Sequence, residues 1–331
     1  MDHAQRRGFL IATGALLAAP RAALAQQTAK PARIGYLALD TVGGLHLKEA
    51  FPNALRDLGY VEGRDVVIEF RDAEGKVDRF PALAAELVAL KVDLIFAPST
   101  VAALAAVRAT STIPIVFAGA ADPVADGLVA RLSRPGGNVT GLSNLSSDLV
   151  GKRLELIKQV VPGVSRVAVL WQTVGTTGRT EKAMLKAAEV AASTLGMGLQ
   201  FFEARTPADI ERAFPEMIRA RVGALMVLPI GMYFSERRRI VSLAATNLLP
   251  TIYPSREFVE IGGLMNYGAN LTDLLRRAAT YADRILKGAK PGDLPVEQPT
   301  KFELVINLKT ARTLGLAVPQ SMLLRGDDVI R

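Results

Sequence analysis

The chain has 331 residues, half of them hydrophobic, and 40 basic against 32 acidic side chains give it a formal net charge of +8. With no cysteine it can form no disulfide, thiolate metal site or cysteine nucleophile, and His46 alone outside the N-terminal leader cannot build a zinc site. The cations are interleaved with acids, and the one dense run, Arg237-Arg238-Arg239, reads as a solvated helix face, so no nucleic-acid partner is expected.

The N-terminus reads as an export signal spanning residues 1–25. Arg6-Arg7 is a basic start, Phe9 to Ala19 an apolar core, and Ala23-Leu24-Ala25 an A-x-A cleavage site. The Arg pair followed by Gly8-Phe9-Leu10 resembles a twin-arginine signal, with the general secretory route as the alternative. Cleavage after Ala25 would release a periplasmic chain. No later segment reaches the ~20 apolar residues of a membrane helix.

Beyond Pro31 strands and helices alternate, which points to βαβ units on parallel sheets. "RIGYLAL" is a strand, Leu47–Gly59 a helix closed by glycine, and "DVVIEF" a strand. "VDRFPALAAELVAL" has helical spacing, and the apolar run "DLIFAP" is a strand buried on both faces. Ser99 directly after it is a helix N-cap signal for "TVAALAAVRA". "PIVFAG" is a strand that ends at Asp122-Pro123, a second cap.

At Gly151 the pattern starts again. "SRVAVLW", "LQFFEA", "ALMVLP" and "PTIYPS" are strands separated by helices, one of them Glu181–Leu195. Leu58-Gly59-Tyr60 before "DVVIEF" matches Leu195-Gly196-Met197 before "LQFFEA", and "IPIVF" matches "LPTIY". This is a duplicated domain, not a short-period solenoid. The remaining strand "GGLMNYG", the helix Leu271–Lys287 and the strand-helix pair "KFELVINLKTARTLGL" imply several crossings between lobes.

The expected fold is therefore α/β, with two doubly wound parallel-sheet lobes joined by a multi-strand hinge. The first lobe is assigned residues 31–142 plus 262–294 and the second 143–258 plus 299–326. The hinge is placed near 142–144, 256–262 and 295–300.

Several long stretches carry a family resemblance, among them "LGYVEGRDVVIEFRDAEGKVDRFPALAAELVALKVDLIFA", "ATSTIPIVFAGAADPVADGLVARLSRPGGNVTGLSN", "GKRLELIKQVVPGVSRVAVLW" and "INLKTARTLGLAVP". From about Arg33 to Pro319 the chain resembles the ABC-transporter substrate-binding proteins with tryptophan- and tyrosine-binding members. The resemblance implies a type I periplasmic binding protein that captures a small solute between its lobes. It also implies a membrane permease as partner, no cofactor and a monomer. One departure concerns the second lobe: many relatives have Asn-Pro after the strand that ends here at Trp171, where this chain has Gln172-Thr173.

Ligands in such sheets bind at the carboxyl ends of the strands, where helix N-termini offer free amides. Ser99 and Thr100 are thus candidate carboxylate anchors, or simply a cap, and Asp122 a candidate ammonium partner or a turn residue. Tyr36, Trp171, Tyr233, Tyr253 and Tyr267 sit near strand ends and could wall a flat ligand, or serve as core. Gln172 and Asn266 could donate amide hydrogen bonds, and Asp40 and Thr41 complete the rim. An amino acid is the expected solute, with aromatic ones among the candidates. Catalysis is not expected, since no phosphate loop, nucleophile elbow or dinucleotide fingerprint is present. A ligand sensor that signals to a membrane receptor is the alternative, and an enzyme using the same cleft the remaining one.

Overall fold

The computed structural model describes residues 30–39, 45–173 and 178–331. The export-signal assignment and the rim positions Asp40 and Thr41 lie outside the described residues.

In chain order the first lobe contains β1 (Ala32–Ala38), α1 (Leu45–Asp57), β2 (Val66–Asp72), α2 (Phe80–Ala89), β3 (Leu94–Ala97), α3 (Thr100–Ala109), β4 (Ile115–Ala120) and β5 (Val139–Ser143). The strands form a parallel sheet in the order β2-β1-β3-β4-β5. Leu94, Ile95, Phe96 and Ala97 are fully buried, as an apolar run covered by helices on both faces requires.

Next come α4 (Val150–Val160), β6 (Arg166–Trp171), α5 (Arg179–Thr194), β7 (Gly198–Glu203), α6 (Pro207–Arg219), β8 (Ala224–Val227), α7 (Gly231–Ser235), α8 (Arg237–Thr246), β9 (Thr251–Tyr253), α9 (Arg256–Glu260) and β10 (Met265–Ala269). The chain closes with α10 (Leu271–Leu286), β11 (Phe302–Asn307), α11 (Leu308–Thr313), α12 (Gln320–Leu323) and β12 (Asp328–Ile330). The second sheet runs β12-β11-β10-β9-β8-β6-β7, with β10 and β11 antiparallel and the other pairs parallel.

The duplication is visible in the topology: β7-β6-β8-β9 repeats β2-β1-β3-β4. The matched glycines act alike. Gly59 and Gly196 have φ of 95° and 65° just past α1 and α5, a backbone that ends a helix without Cβ strain.

One expected boundary is corrected. The strand β10, assigned from sequence to the first lobe, hydrogen-bonds to β9 and β11 in the second sheet. It follows β9 as β5 follows β4, so it completes the second copy of the repeat. The chain therefore crosses after Ala269, not within 256–262, because α9 also packs on β10 and β11. The helices that follow the two fifth strands are exchanged. The α4 side chains Val150, Leu154 and Ile157 enter the second core, and the α10 side chains Leu274, Ala278 and Ala282 enter the first. The other passages lie between β5 and α4 and between Glu297 and β11, where the Ser143 amide donates to the Glu297 carbonyl at 2.9 Å.

The lobes also touch directly. Thr180 Oγ1 on α5 donates to Asp126 of the first lobe, whose carboxyl burial holds above the usual range. His46 Nε2 on α1 lies 3.8 Å from Glu257 on α9. Among the described residues no helix is long and apolar enough to cross a membrane.

Candidate functional site

A cavity of about 190 Å³ lies between the lobes at the carboxyl ends of the strands. The first lobe contributes Tyr36, Ala38 and Leu39 from the end of β1, Lys48 from α1, Pro98 to Val101 at the start of α3, and Ala118, Gly119 and Ala121 around the end of β4. Leu271, Leu274 and Leu275 of α10 add an apolar wall. The second lobe contributes Glu181 from α5, Ile230, Gly231 and Phe234 around α7, and Pro254, Ser255 and Phe258 around α9. Asn144 and Ser146 line it from the first crossing.

Local folding fixes the polar part of the first lobe. Ser99 is extended, and its Oγ caps α3 by accepting from the Ala102 amide at 3.3 Å. Thr100 Oγ1 accepts from the Ala121 amide at 3.3 Å, which ties the start of α3 to the end of β4. Both hydroxyl oxygens thus already accept bonds within the chain. The amides of Thr100 and Val101 have no acceptor inside the helix, and none is found in other backbone of the described residues. With the helix dipole behind them they favour an anion. Asn144 bridges the crossing: its Nδ2 donates to the Gly119 carbonyl at 2.9 Å and its Oδ1 accepts from Ser146 Oγ at 2.6 Å.

Tyr36 reaches the cavity from within an aromatic cluster, stacked on Phe70 at 4.8 Å and edge-on to Phe96 at 4.9 Å. Burial pushes its phenol pKa well up, so it stays neutral. On the second lobe Ser255 is buried, and its Oγ has no hydrogen-bond partner among the described residues. Lys48 and Glu181 are the charged lining residues among those described. No group of three potential metal-ligating side chains stands together among the described residues.

Of the residues selected from sequence, Tyr36, Ser99 and Thr100 border the cavity. The other described ones lie elsewhere. Asp122 accepts from the Val124 and Ala125 amides, at 3.2 and 2.9 Å, and so closes a turn. Tyr233 is buried and donates to the Ala204 carbonyl at 3.0 Å. Tyr253 is buried against Phe258, with ring centroids 4.9 Å apart. Trp171 is half-buried against the second core, and Gln172 is half-buried beside it. Tyr267 packs toward Phe302 and gives its carbonyl to the buried Arg153. Asn266 is fully buried in β10, without a hydrogen-bond partner for its side-chain amide among the described residues. The second-lobe aromatic wall is instead built by Phe234 and Phe258, which lie on helices and not at strand ends. Lys48 and Glu181 carried no sequence signal beyond an ordinary amphipathic helix.

The sequence of residues 41–330 matches the family model for ABC transporter substrate binding protein. The chain belongs to this family. A tyrosine-binding protein of Clostridioides difficile is 30% identical over 271 residues, which is 81% of this chain and 76% of that protein. The crystal structure of an ABC domain from Streptococcus pneumonia in complex with L-Trp superposes with a TM-score of 0.82 at 29% identity. That match covers 91% of this chain and all of the other. A conserved domain protein of Vibrio cholerae gives a TM-score of 0.83 at 27% identity, with 91% and 100% coverage. The fold of this substrate-binding protein is thus that of the type I periplasmic binding proteins.

Proposed function

We propose that this chain is the extracytoplasmic solute-binding component of an ABC importer. It captures an amino acid, aromatic in side chain, in the interlobe cavity and presents it to a membrane permease. The observation that carries this reading is a cavity shared by two lobes, with the α3 N-terminus and Phe234 and Phe258 in its walls. Amides at a helix start suit a carboxylate, and aromatic walls suit a flat side chain. The tyrosine-binding relative and the L-Trp complex support the solute class. The leader with Arg6-Arg7, cleaved after Ala25, would deliver the chain as a monomer to the periplasm. The three chain crossings would then serve as the hinge.

A thermal-shift titration with L-tyrosine and L-tryptophan tests the proposal. The melting temperature should rise with either ligand by the linkage of binding to folding. The double variant Ser99→Ala, Thr100→Ala should reduce the rise, because it loosens the turn that aims the amides. Silence across a panel of amino acids would remove this solute class.

A further inference from the structure

Tyr36 holds a buried, unbonded hydroxyl at the wall of the solute cavity. We propose that this phenol reads a hydrogen-bonding group on the solute's ring, a phenol O–H or an indole N–H. It thereby selects tyrosine or tryptophan against phenylalanine. The inference rests on the interlobe cavity being an amino-acid site.

Three other tyrosines show how a phenol is ordinarily satisfied in this chain. Tyr60 donates to Asp283 at 2.9 Å, Tyr233 to the Ala204 carbonyl at 3.0 Å and Tyr281 to the Pro295 carbonyl at 2.6 Å. Tyr36 is 3% exposed, yet its hydroxyl has no hydrogen-bond partner among the described residues, and burial alone accounts for its raised pKa. Its ring is set among Phe51, Phe70 and Phe96, where a fourth phenylalanine would pack as well. The hydroxyl therefore adds nothing to this core, and a buried donor without an acceptor costs stability. What Tyr36 borders besides the core is the cavity.

The place of the phenol in the sheet decides which end of a solute it meets. Tyr36, Phe96 and Ala118 share the core covered by α1 and α10, with Phe51, Leu274 and Leu275. Ala97, Ala102 and Ala103 belong to the core on the other face, so α3 reaches the cavity from the opposite side of the sheet. A carboxylate at the α3 amides leaves the side chain to run across the sheet end toward Tyr36, Leu271, Leu274 and Leu275. The charged lining residue on that side among those described is Lys48, whose ammonium is held over the Phe70 ring, 4.8 Å from its centroid. A ring that carries an O–H or N–H gives Tyr36 its missing bond. A plain phenyl ring displaces water from the phenol and returns no hydrogen bond, so the site rejects it.

Isothermal calorimetry on the full chain with L-tyrosine, L-tryptophan and L-phenylalanine tests this. The tighter of the first two should bind about tenfold or more better than L-phenylalanine, the weight of one hydrogen bond. Tyr36→Phe keeps the ring cluster and removes only the hydroxyl. It should weaken that preferred ligand and bring its ratio to L-phenylalanine close to one. The ligand-free variant should unfold at the wild-type urea concentration or above it, because the lost hydroxyl has no partner in the chain. A clearly lower midpoint would assign the hydroxyl to the core and overturn the inference. Equal loss of all three ligands, a ratio that survives the substitution, or a wild type that takes L-phenylalanine as tightly as the others would also overturn it. Each of these leaves the cavity as an amino-acid site. Absence of binding by all three ligands would overturn the amino-acid reading and this inference with it.

Discussion

At Ser99 the backbone is extended, with φ of −165° and ψ of 159°, and Oγ accepts the Ala102 amide. One side chain thus starts α3 and places its free amides at the cavity wall. Stability and binding can be separated at this position. Ser99→Ala removes the cap and should lower ligand-free stability by about 1 kcal/mol, read from urea unfolding. Ser99→Asp keeps an acceptor for the same amide, so stability should be retained. Its added negative charge sits where the ligand carboxylate is proposed to lie, so L-tyrosine binding should fall sharply in calorimetry. An aspartate variant that binds like wild type would move the carboxylate away from α3. The same reasoning explains Asp122. Its Oδ1 is engaged by two amides in the turn after β4, so Asp-Pro at that point serves the backbone.

Strand β5 shows how closely the elements around the cleft approach one another. Gly141 has φ of 153°, and a Cβ there would lie 2.0 Å from the Phe117 carbonyl oxygen in β4. The pairing register of β4 and β5 shifts between Ala118 and Ala120, beside the cavity-lining Gly119. Gly141→Ala should therefore destabilise the chain by about 3 kcal/mol or more, through both the backbone conformation and the clash. A shift of the urea midpoint within error of zero would contradict that geometry. At this scale the sequence was most legible. Apolar runs ending in Pro-Ser or at Asp-Pro located β3 and β4, and paired Leu-Gly steps exposed the duplication. The placement of β10 was not legible, because a five-residue strand with apolar neighbours suits either sheet. Only pairing with Ile252 and Tyr253 assigns it to the second. The tyrosines misled for a related reason. Proximity to a strand end does not say which face a side chain takes, and Tyr233 and Tyr253 turn into the second core. Lys48 and Glu181 come to line one cavity only after both lobes fold, so no local pattern could associate them.

Across the whole molecule, His46 and Glu257 form a titratable contact between the lobes. His46 belongs to α1 of the first lobe and Glu257 to α9 of the second, with Nε2 and Oε1 3.8 Å apart. Glu257 is 3% exposed, and neither of its oxygens has a hydrogen-bond partner among the described residues, so an imidazolium on the facing lobe is a favourable neighbour. The contact with Glu257 raises the His46 pKa above its ordinary value, with Glu260 adding to the effect and burial and Arg237 opposing it. A group whose pKa is raised in the folded form takes up its proton more readily there. Its contribution is full below the unfolded histidine value of about 6.5 and disappears as pH rises through the folded value. His46 is half exposed, which limits the effect to about 1 kcal/mol or less. Ligand-free protein should therefore melt slightly higher, and scatter as a more compact particle, at pH 6.0 than at pH 8.5. His46→Gln should flatten both trends, and Glu257→Gln should flatten them through the other lobe. Since each substitution touches only one lobe, matching losses from the two would locate the effect at their junction. A pH trend that survives in both variants would place the titrating group elsewhere and remove the His46–Glu257 contact as its source.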